Sequence, residues 1–163
     1  MSEHVIRDLM PSDLPEAVAI NNANVPAVNL ADEPMLANLL AQSVVALGAE
    51  PAGGGPLAGF CLVIGPDADY GSQNYRWFNE HYDDFMYLDR VAVADWARNG
   101  GIGTAMYAEV ERRATSKLFA LEVNLRPRND GSLRFHHRLG FEEVGQQETD
   151  YGVLVSLLAK PLL

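Results

Sequence analysis

Apolar positions along this chain follow two spacings, one in two and one in three or four, and the change from one to the other marks out its elements. His4 to Leu9 alternates as a first strand does. Pro11-Ser12-Asp13 opens a helix in which Asp13 and Glu16 stand at capping-box spacing, and Leu14, Ala17 and Val18 supply its inner face. Asn21 to Asn29 is polar and loop-like. Asp32-Glu33-Pro34 then starts a second helix with Met35, Leu36, Leu39 and Leu40 on its apolar side. Ser43 to Glu50 and Leu57 to Gly65 read as strands around Pro51-Ala52-Gly53-Gly54-Gly55-Pro56, an exposed connection too loose for a tight hairpin.

The segment 66–85 keeps neither spacing. Tyr70, Tyr75, Trp77, Phe78, Tyr82 and Phe85 are interleaved with Asp67, Asp69, Glu80, Asp83 and Asp84. An irregular stretch of this length is expected to be functional, and so many aromatic residues speak against disorder. A lid over a binding site fits these side chains, whose aromatics and carboxylates suit a cationic, partly apolar ligand such as an amine. A dimer contact or plain packing is the alternative.

Order returns at Met86 to Val93, a strand-like apolar run. A polar turn, Ala94 to Asn99, leads into Gly100-Gly101-Ile102-Gly103, and Ile102, Met106 and Val110 recur four apart as on one face of a helix. The first turn of a helix carries N–H groups without partners and the positive end of the helix dipole. Glycines just before it let an anion approach the main chain closely, so a phosphate or pyrophosphate is the natural guest. Arg98 adds a full positive charge at the lip. A P-loop needs a Lys-Ser/Thr pair after its last glycine, where Thr104-Ala105 stands, and a dinucleotide turn needs a third glycine where Met106 stands.

Phe119 to Leu125 is the next strand, ended by Arg126-Pro127-Arg128. Asn129 to Leu139 forms a helix that stops at Gly140, and Phe141 to Gln147 and Tyr151 to Ala159 are the last strands. Strands with helices between them and hairpins at both ends predict an α/β protein with a mixed, mostly antiparallel sheet of about seven strands and about four helices.

Composition narrows the partners. The 163 residues, 48% apolar and 21% charged, suit one soluble domain spanning 1–163. A net charge of −10 argues against nucleic acid and anionic membranes and favours a neutral or cationic second substrate. The single Cys61 excludes an internal disulfide; it reads as a small buried hydrophobe, with an acyl-carrying thiol as the other reading. The opening MSEHVIRDLMPSD lacks an apolar signal segment, and no run is long enough to span a membrane, so the cytoplasm is the expected compartment. His4, His81, His136, His137 and Cys61 form no metal-ligand spacing.

Two stretches together carry a family resemblance. Arg98-Asn99-Gly100-Gly101-Ile102-Gly103 resembles the Arg/Gln-x-x-Gly-x-Gly/Ala signature of the GNAT superfamily of acyl-CoA-dependent N-acetyltransferases. Asn129 to Phe141 resembles its later signature, matching at Asn129, the small Ser132, Phe135 and Gly140-Phe141. The resemblance implies the GNAT fold, in which strands four and five splay into a V that receives acetyl-CoA. It implies that the amides of Arg98 to Thr104 hold the pyrophosphate, that backbone at Val91, Ala92 and Val93 meets the pantetheine arm, and that Asn129, Ser132 and Phe135 lie against the cofactor. The two N-terminal helices would cover the acceptor site, bringing Asn22, Asn24 and Val25 to it. The expected reaction is direct acetyl transfer to the primary amine of a small molecule or peptide N-terminus, with a homodimer allowed. A catalytically weak acyl-CoA-binding module and a nucleotide-binding protein are the rivals.

The resemblance also locates a departure. Many members place an acidic tyrosine where this chain has His136, which would serve as general acid or as hydrogen-bond donor to the thiol, with a titration near the ordinary imidazole value of about 6.5. Its neighbour His137 reads as solvated. The strand position that holds a glutamate base in histone-type members falls on Tyr87, so Asp89 is taken as the base, with Asp84 and Glu122 as nearby candidates, a water chain to bulk as the replacement for a dedicated base, and an ion pair to Arg90 as the structural reading of Asp89.

Overall fold

The computed structural model describes residues 3–162, so the outer bounds of the 1–163 domain lie outside the described residues. Seven strands stand in the order β1-β2-β3-β4-β5-β7-β6. They are β1 (His4–Asp8), β2 (Ser43–Pro51), β3 (Gly59–Ile64), β4 (Met86–Val93), β5 (Leu118–Arg126), β6 (Glu142–Glu148) and β7 (Leu154–Pro161). The helices are α1 (Leu14–Asn22), α2 (Glu33–Gln42), α3 (Gln73–His81), α4 (Ile102–Arg113) and α5 (Asp130–Arg138). The β4–β5 pair is parallel and the β1–β2, β2–β3, β5–β7 and β6–β7 pairs are antiparallel, which makes the sheet mixed as expected. Five α-helices form among the described residues, one more than the sequence pattern indicates.

The chain folds into two compact units. The first takes the chain up to Ile64 together with Asp89–Arg113. Every residue of β3, Gly-Phe-Cys-Leu-Val-Ile, is buried, which is why it reads as a continuous apolar run and not as an alternation. Gly59 of β3 has no room for a side chain, since a Cβ there would come to 3.0 Å from the Ala92 carbonyl of β4. The chain over Pro11–Asp13, which leads into α1, is held differently from expectation. Asp13 receives Arg7 Nη1 and Nη2 at 2.8 and 3.0 Å and the Met10 N–H at 2.7 Å, while Glu16 accepts the Leu57 N–H at 2.8 Å. The Asp13–Glu16 capping box therefore does not form: Asp13 is taken by Arg7 and the Met10 N–H, and Glu16 by the distant Leu57 N–H.

The second unit takes Gly65–Leu88 with the chain from Ala114 onward. Its main correction concerns the aromatic segment, which contains the helix α3 where the sequence pattern predicts an irregular stretch. Ser72 caps α3 by accepting the Tyr75 N–H at 3.3 Å. Tyr75 and Phe78 on α3 are buried with Phe85 and Tyr87, at ring separations of 5.5–6.3 Å. Plain packing is what most of these rings do.

Trp77 faces the edge strand. It stacks on His81 at 3.9 Å and covers Gly145 at the β6 bulge, where a Cβ would lie 2.7 Å from its indole. Because the stack holds the indole in place, Gly145→Ala is expected to destabilise the fold by about 1–3 kcal/mol. Urea unfolding would read this, and the loss should largely vanish in a Trp77→Leu background, where the clash is gone.

Candidate active site

The glycine turn is built as an anion would need it. After β4 the chain reverses through Arg98, Asn99, Gly100 and Gly101, all exposed, and enters α4 at buried Ile102. Asn99 and Gly101 have φ of 65° and 78°, a left-handed region that asparagine tolerates and glycine adopts freely. A Cβ at Gly101 would meet nothing within 4 Å, so the turn leaves open space in front of the helix end. The first intrahelical bond there runs from the Ala105 N–H to the Gly101 carbonyl at 3.0 Å. The N–H groups ahead of it belong to the first turn, which has no intrahelical acceptors. Gly103 is half-buried and Thr104 exposed. In β4 itself Ala92 is buried, with Val91 and Val93 half-buried.

Arg98 is half exposed, and its Nη2 donates to Asn24 Oδ1 at 2.9 Å and to Asp95 Oδ1 at 3.0 Å. Asn24 stands just past α1. Asn22 turns inward instead, taking the Ala31 N–H and giving to the Ala31 carbonyl, both at 3.0 Å. Val25 is exposed.

Asp89 is not placed as an open carboxylate. Its side chain is 4% exposed and lies 2.8 Å from Arg90 Nε, whose own side chain is 7% exposed. Arg90 Nη1 also donates to buried Asn21 at 3.1 Å. A carboxylate enclosed with a guanidinium is stabilised as an ion pair and is poorly placed to take a substrate proton.

The second motif lies in the second unit. Asn129 caps α5 by accepting the Ser132 N–H at 3.2 Å, and Phe135 is half-buried with its ring edge-on to His136 at 5.1 Å. His136 is buried. Its Nδ1 lies 2.7 Å from the Ser132 carbonyl oxygen and 3.2 Å from the Ser132 hydroxyl. A carbonyl can only accept, so Nδ1 carries the hydrogen and the neutral ring has its lone pair on Nε2. Burial pushes the imidazole below its ordinary value, helped by neighbouring His137, although the Ser132 bond opposes this. The ring is therefore neutral at pH 7. Below pH 6.5 the unfolded chain takes up a proton that the folded ring refuses, so His136 lowers stability progressively as pH falls through that window. His137 is exposed and gives its Nδ1 hydrogen to the Phe141 carbonyl at 3.1 Å.

One constellation of this unit is not visible in the sequence. Tyr87 OH donates to Glu122 Oε2 at 2.5 Å. Tyr87 sits opposite Ala120 in the parallel ladder, which comprises two residue pairs, and Glu122 follows two residues on in β5. Tyr151, between β6 and β7, is raised above the ordinary phenol value by partial burial, with a contribution from the Glu122 charge; its hydroxyl accepts from Asn74 Nδ2 at 3.2 Å. Gln147 Nε2 donates to Asn74 Oδ1 at 3.0 Å. One phenol thus hydrogen-bonds the half-buried Glu122 carboxylate, and a second, held by Asn74, lies within reach of its charge.

Cys61 is fully buried, and burial pushes its thiol up to about 12, which removes it as an acyl carrier. Among the described residues no group of three His, Cys, Asp or Glu could hold a metal, and no helix is long and apolar enough to cross a membrane.

Comparison with known proteins bears on all of this. No curated protein matches the sequence. Among solved structures the chain is similar to Ard1 from Thermoplasma volcanium, with a TM-score of 0.78, 16% identity and 99% of each chain covered. It is similar to Arabidopsis thaliana NAA60 in complex with acetyl-CoA, with a TM-score of 0.76, 18% identity, and 98% of this chain and 99% of that one covered. It is also similar to the ribosomal-protein-S18-alanine N-acetyltransferase of Escherichia coli, with a TM-score of 0.72, 20% identity, and 98% and 94% covered. These likenesses establish the fold. Residues 41–141, which contain the glycine turn and the Asn129–Phe141 motif, match the acetyltransferase (GNAT) family, and the chain belongs to that family of acyl-CoA-dependent enzymes.

Proposed function

We propose that the chain, acting as one acetyltransferase domain over 1–163, transfers the acetyl group of acetyl-CoA directly to a primary amine of a small molecule or a peptide N-terminus. The observation that carries this reading is the exposed turn Arg98–Gly101, with its left-handed Asn99 and Gly101, at the start of α4. Its donors suit a pyrophosphate: backbone N–H groups, a helix N-terminus and a guanidinium. The acetyl-CoA of the Arabidopsis structure and the protein amine named for the Escherichia coli enzyme support the two substrate classes by likeness.

Acetyl-CoA supplies an activated thioester. The residues of the chain then bind and move protons. Arg98 and the amides of Asn99 to Thr104 hold the pyrophosphate and backbone at Val91 to Val93 aligns the pantetheine arm, while Asn129, Ser132 and Phe135 are the cofactor contacts that the second motif assigns to its own unit. Holding both reactants in line is worth up to roughly 7–11 kcal/mol in well-oriented reactions. The base is Glu122 in preference to Asp89, because Asp89 is closed into its pair with Arg90 while Glu122 is held by the Tyr87 hydroxyl. Glu122 takes a proton from the acceptor ammonium and leaves a neutral amine. His136 enters neutral: its Nε2 takes the second proton that the nitrogen loses as the amide forms, and passes it to the departing sulfur. Asp89 keeps Arg90 and Asn21 in place.

The acid role expected for His136 and this relay differ in sign. A charged acid loses activity as pH rises through its pKa, whereas a neutral relay loses activity as pH falls through it. We expect kcat/KM to fall on the acid side of pH 6.5 through a His136 limb that disappears in His136→Phe, together with about 100-fold of kcat. Retention of the limb in His136→Phe would remove His136 from the chemistry.

The whole reading is tested by calorimetry with acetyl-CoA, ATP and NAD, followed by thiol release in an amine screen. Binding of acetyl-CoA alone, with thiol release on an amine, is expected. Preference for ATP or NAD would overturn it. The neutral histidine in the tyrosine position supports one second reading, an acyl-CoA-binding module, which would bind acetyl-CoA and release no thiol with any amine.

A further inference from the structure

The segment between α1 and α2 has neither helix nor strand over residues 23–31, and Val25 and Leu30 stand exposed in it. Asparagine side chains hold it. Asn21 Nδ2 donates to the Asn29 carbonyl at 2.9 Å, and Asn22 clasps both the N–H and the carbonyl of Ala31. These bonds close the segment on itself. Asn24 reaches outward. Its Nδ2 donates to the Ile20 carbonyl in α1 at 2.7 Å and to the Val93 carbonyl at the end of β4 at 3.2 Å, and its Oδ1 accepts from Arg98 Nη2 at 2.9 Å. Its main chain is engaged as well, its N–H on Asn21 and its carbonyl with Val28. One side chain therefore ties α1, the last residue of β4 and the arginine of the glycine turn together. A guanidinium carries five N–H donors, and Arg98 uses Nη2 on Asn24 and Asp95.

We propose that Asn24 is a positioning residue that couples occupancy of the glycine turn to the order of the segment 23–31. The inference rests on the cofactor reading above and goes beyond it. A pyrophosphate on the turn would find the Nε and Nη1 donors of Arg98 available while Nη2 stays on Asn24. The guanidinium, pinned from both sides, then fixes the Asn24 amide, and Asn24 fixes the exposed segment that follows it. Order imposed by the first ligand need not be imposed again by the second, and the coupling acts equally in both directions. Acetyl-CoA would thereby prepare the surface carrying Val25 and Leu30 for the acceptor.

The test is hydrogen exchange of the 23–31 amides in the full chain, with and without saturating acetyl-CoA, beside calorimetry of the same samples. In wild type, acetyl-CoA is expected to slow exchange in this segment by about fivefold or more. Asn24→Ala and Arg98→Ala should still bind acetyl-CoA, more weakly, yet show the same 23–31 exchange with and without it. Asn24→Asp lacks the donors to Ile20 and Val93 but keeps the oxygen for Arg98, so it should retain the protection that Asn24→Ala loses. Acetyl-CoA binding with unchanged exchange in wild type, or protection that survives Arg98→Ala, overturns the coupling and leaves the cofactor reading intact. Failure of wild type to bind acetyl-CoA at all overturns both.

Discussion

Replacing Glu122 by Gln should lower kcat for amine acetylation by about 100- to 10,000-fold, the usual cost of removing a general base. Acetyl-CoA affinity, read by calorimetry, should stay within about twofold, because Glu122 is not among the groups assigned to the pyrophosphate. Gln keeps the shape and can still accept from the Tyr87 hydroxyl, which donates to Glu122 Oε2 at 2.5 Å, so the fold around it should hold. What Gln lacks is the negative charge and the capacity to take a proton. Tyr87→Phe provides the intermediate case. It removes one strong hydrogen bond to the carboxylate without removing the base, and a loss of about tenfold in kcat is expected. Asp89→Asn should act through structure: it removes the carboxylate charge from its ion pair with buried Arg90 and lowers stability by about 3–5 kcal/mol. If Glu122→Gln keeps wild-type kcat while Asp89→Asn loses it in a protein shown to be folded, the base has been assigned to the wrong carboxylate.

The choice between those two acids shows what the sequence could and could not carry. Strand β3 and helix α2 are legible because burial dictates their spacing directly: a strand covered on both faces is apolar throughout, and Leu36 and Leu39 return to one side of a helix. The glycine turn is legible because left-handed φ and open space in front of a helix leave few residue types able to stand there. Helix α3 is not. Its buried face is made of Asn74, Tyr75 and Phe78, residues with low helix propensity, among polar neighbours, and the signal for it is the cap at Ser72. Asp13 and Glu16 have the right spacing for a local cap, but Arg7 and the Met10 N–H engage Asp13 and the distant Leu57 N–H engages Glu16. The pairing of Tyr87 with Glu122 depends on the register of a parallel ladder between residues 35 apart in sequence, and no local pattern encodes that. Likewise His136 can be found by motif, while its protonation state follows from burial and from the Ser132 carbonyl, which a sequence does not display.

The second large effect belongs to the turn itself. Gly101→Glu should raise the Kd for acetyl-CoA by about 100-fold or more, since each tenfold is about 1.4 kcal/mol and two contributions add. Gly101 has φ of 78°, and an L-residue held there costs about 1–2 kcal/mol, which either weakens the fold or pulls the turn amides out of line. The new carboxylate also projects into the open space before α4, where a Cβ meets nothing within 4 Å. A pyrophosphate bound there would face a like charge at close range, a repulsion of a few kcal/mol at about 4 Å under surface screening. Gly101→Ala separates the two contributions, keeping the strain without the charge, and should cost about 1 kcal/mol of stability with Kd raised by less than about tenfold. Gly53→Glu supplies the remaining control. It changes the net charge equally at a glycine whose Cβ also meets nothing within 4 Å, in the exposed connection between β2 and β3, so it should leave Kd as in wild type. Thermal unfolding of the three variants, run beside calorimetry, distinguishes a damaged fold from a blocked site. Wild-type affinity in a folded Gly101→Glu protein would mean that the anion does not bind at this turn, and the proposed role of Arg98 would fall with it.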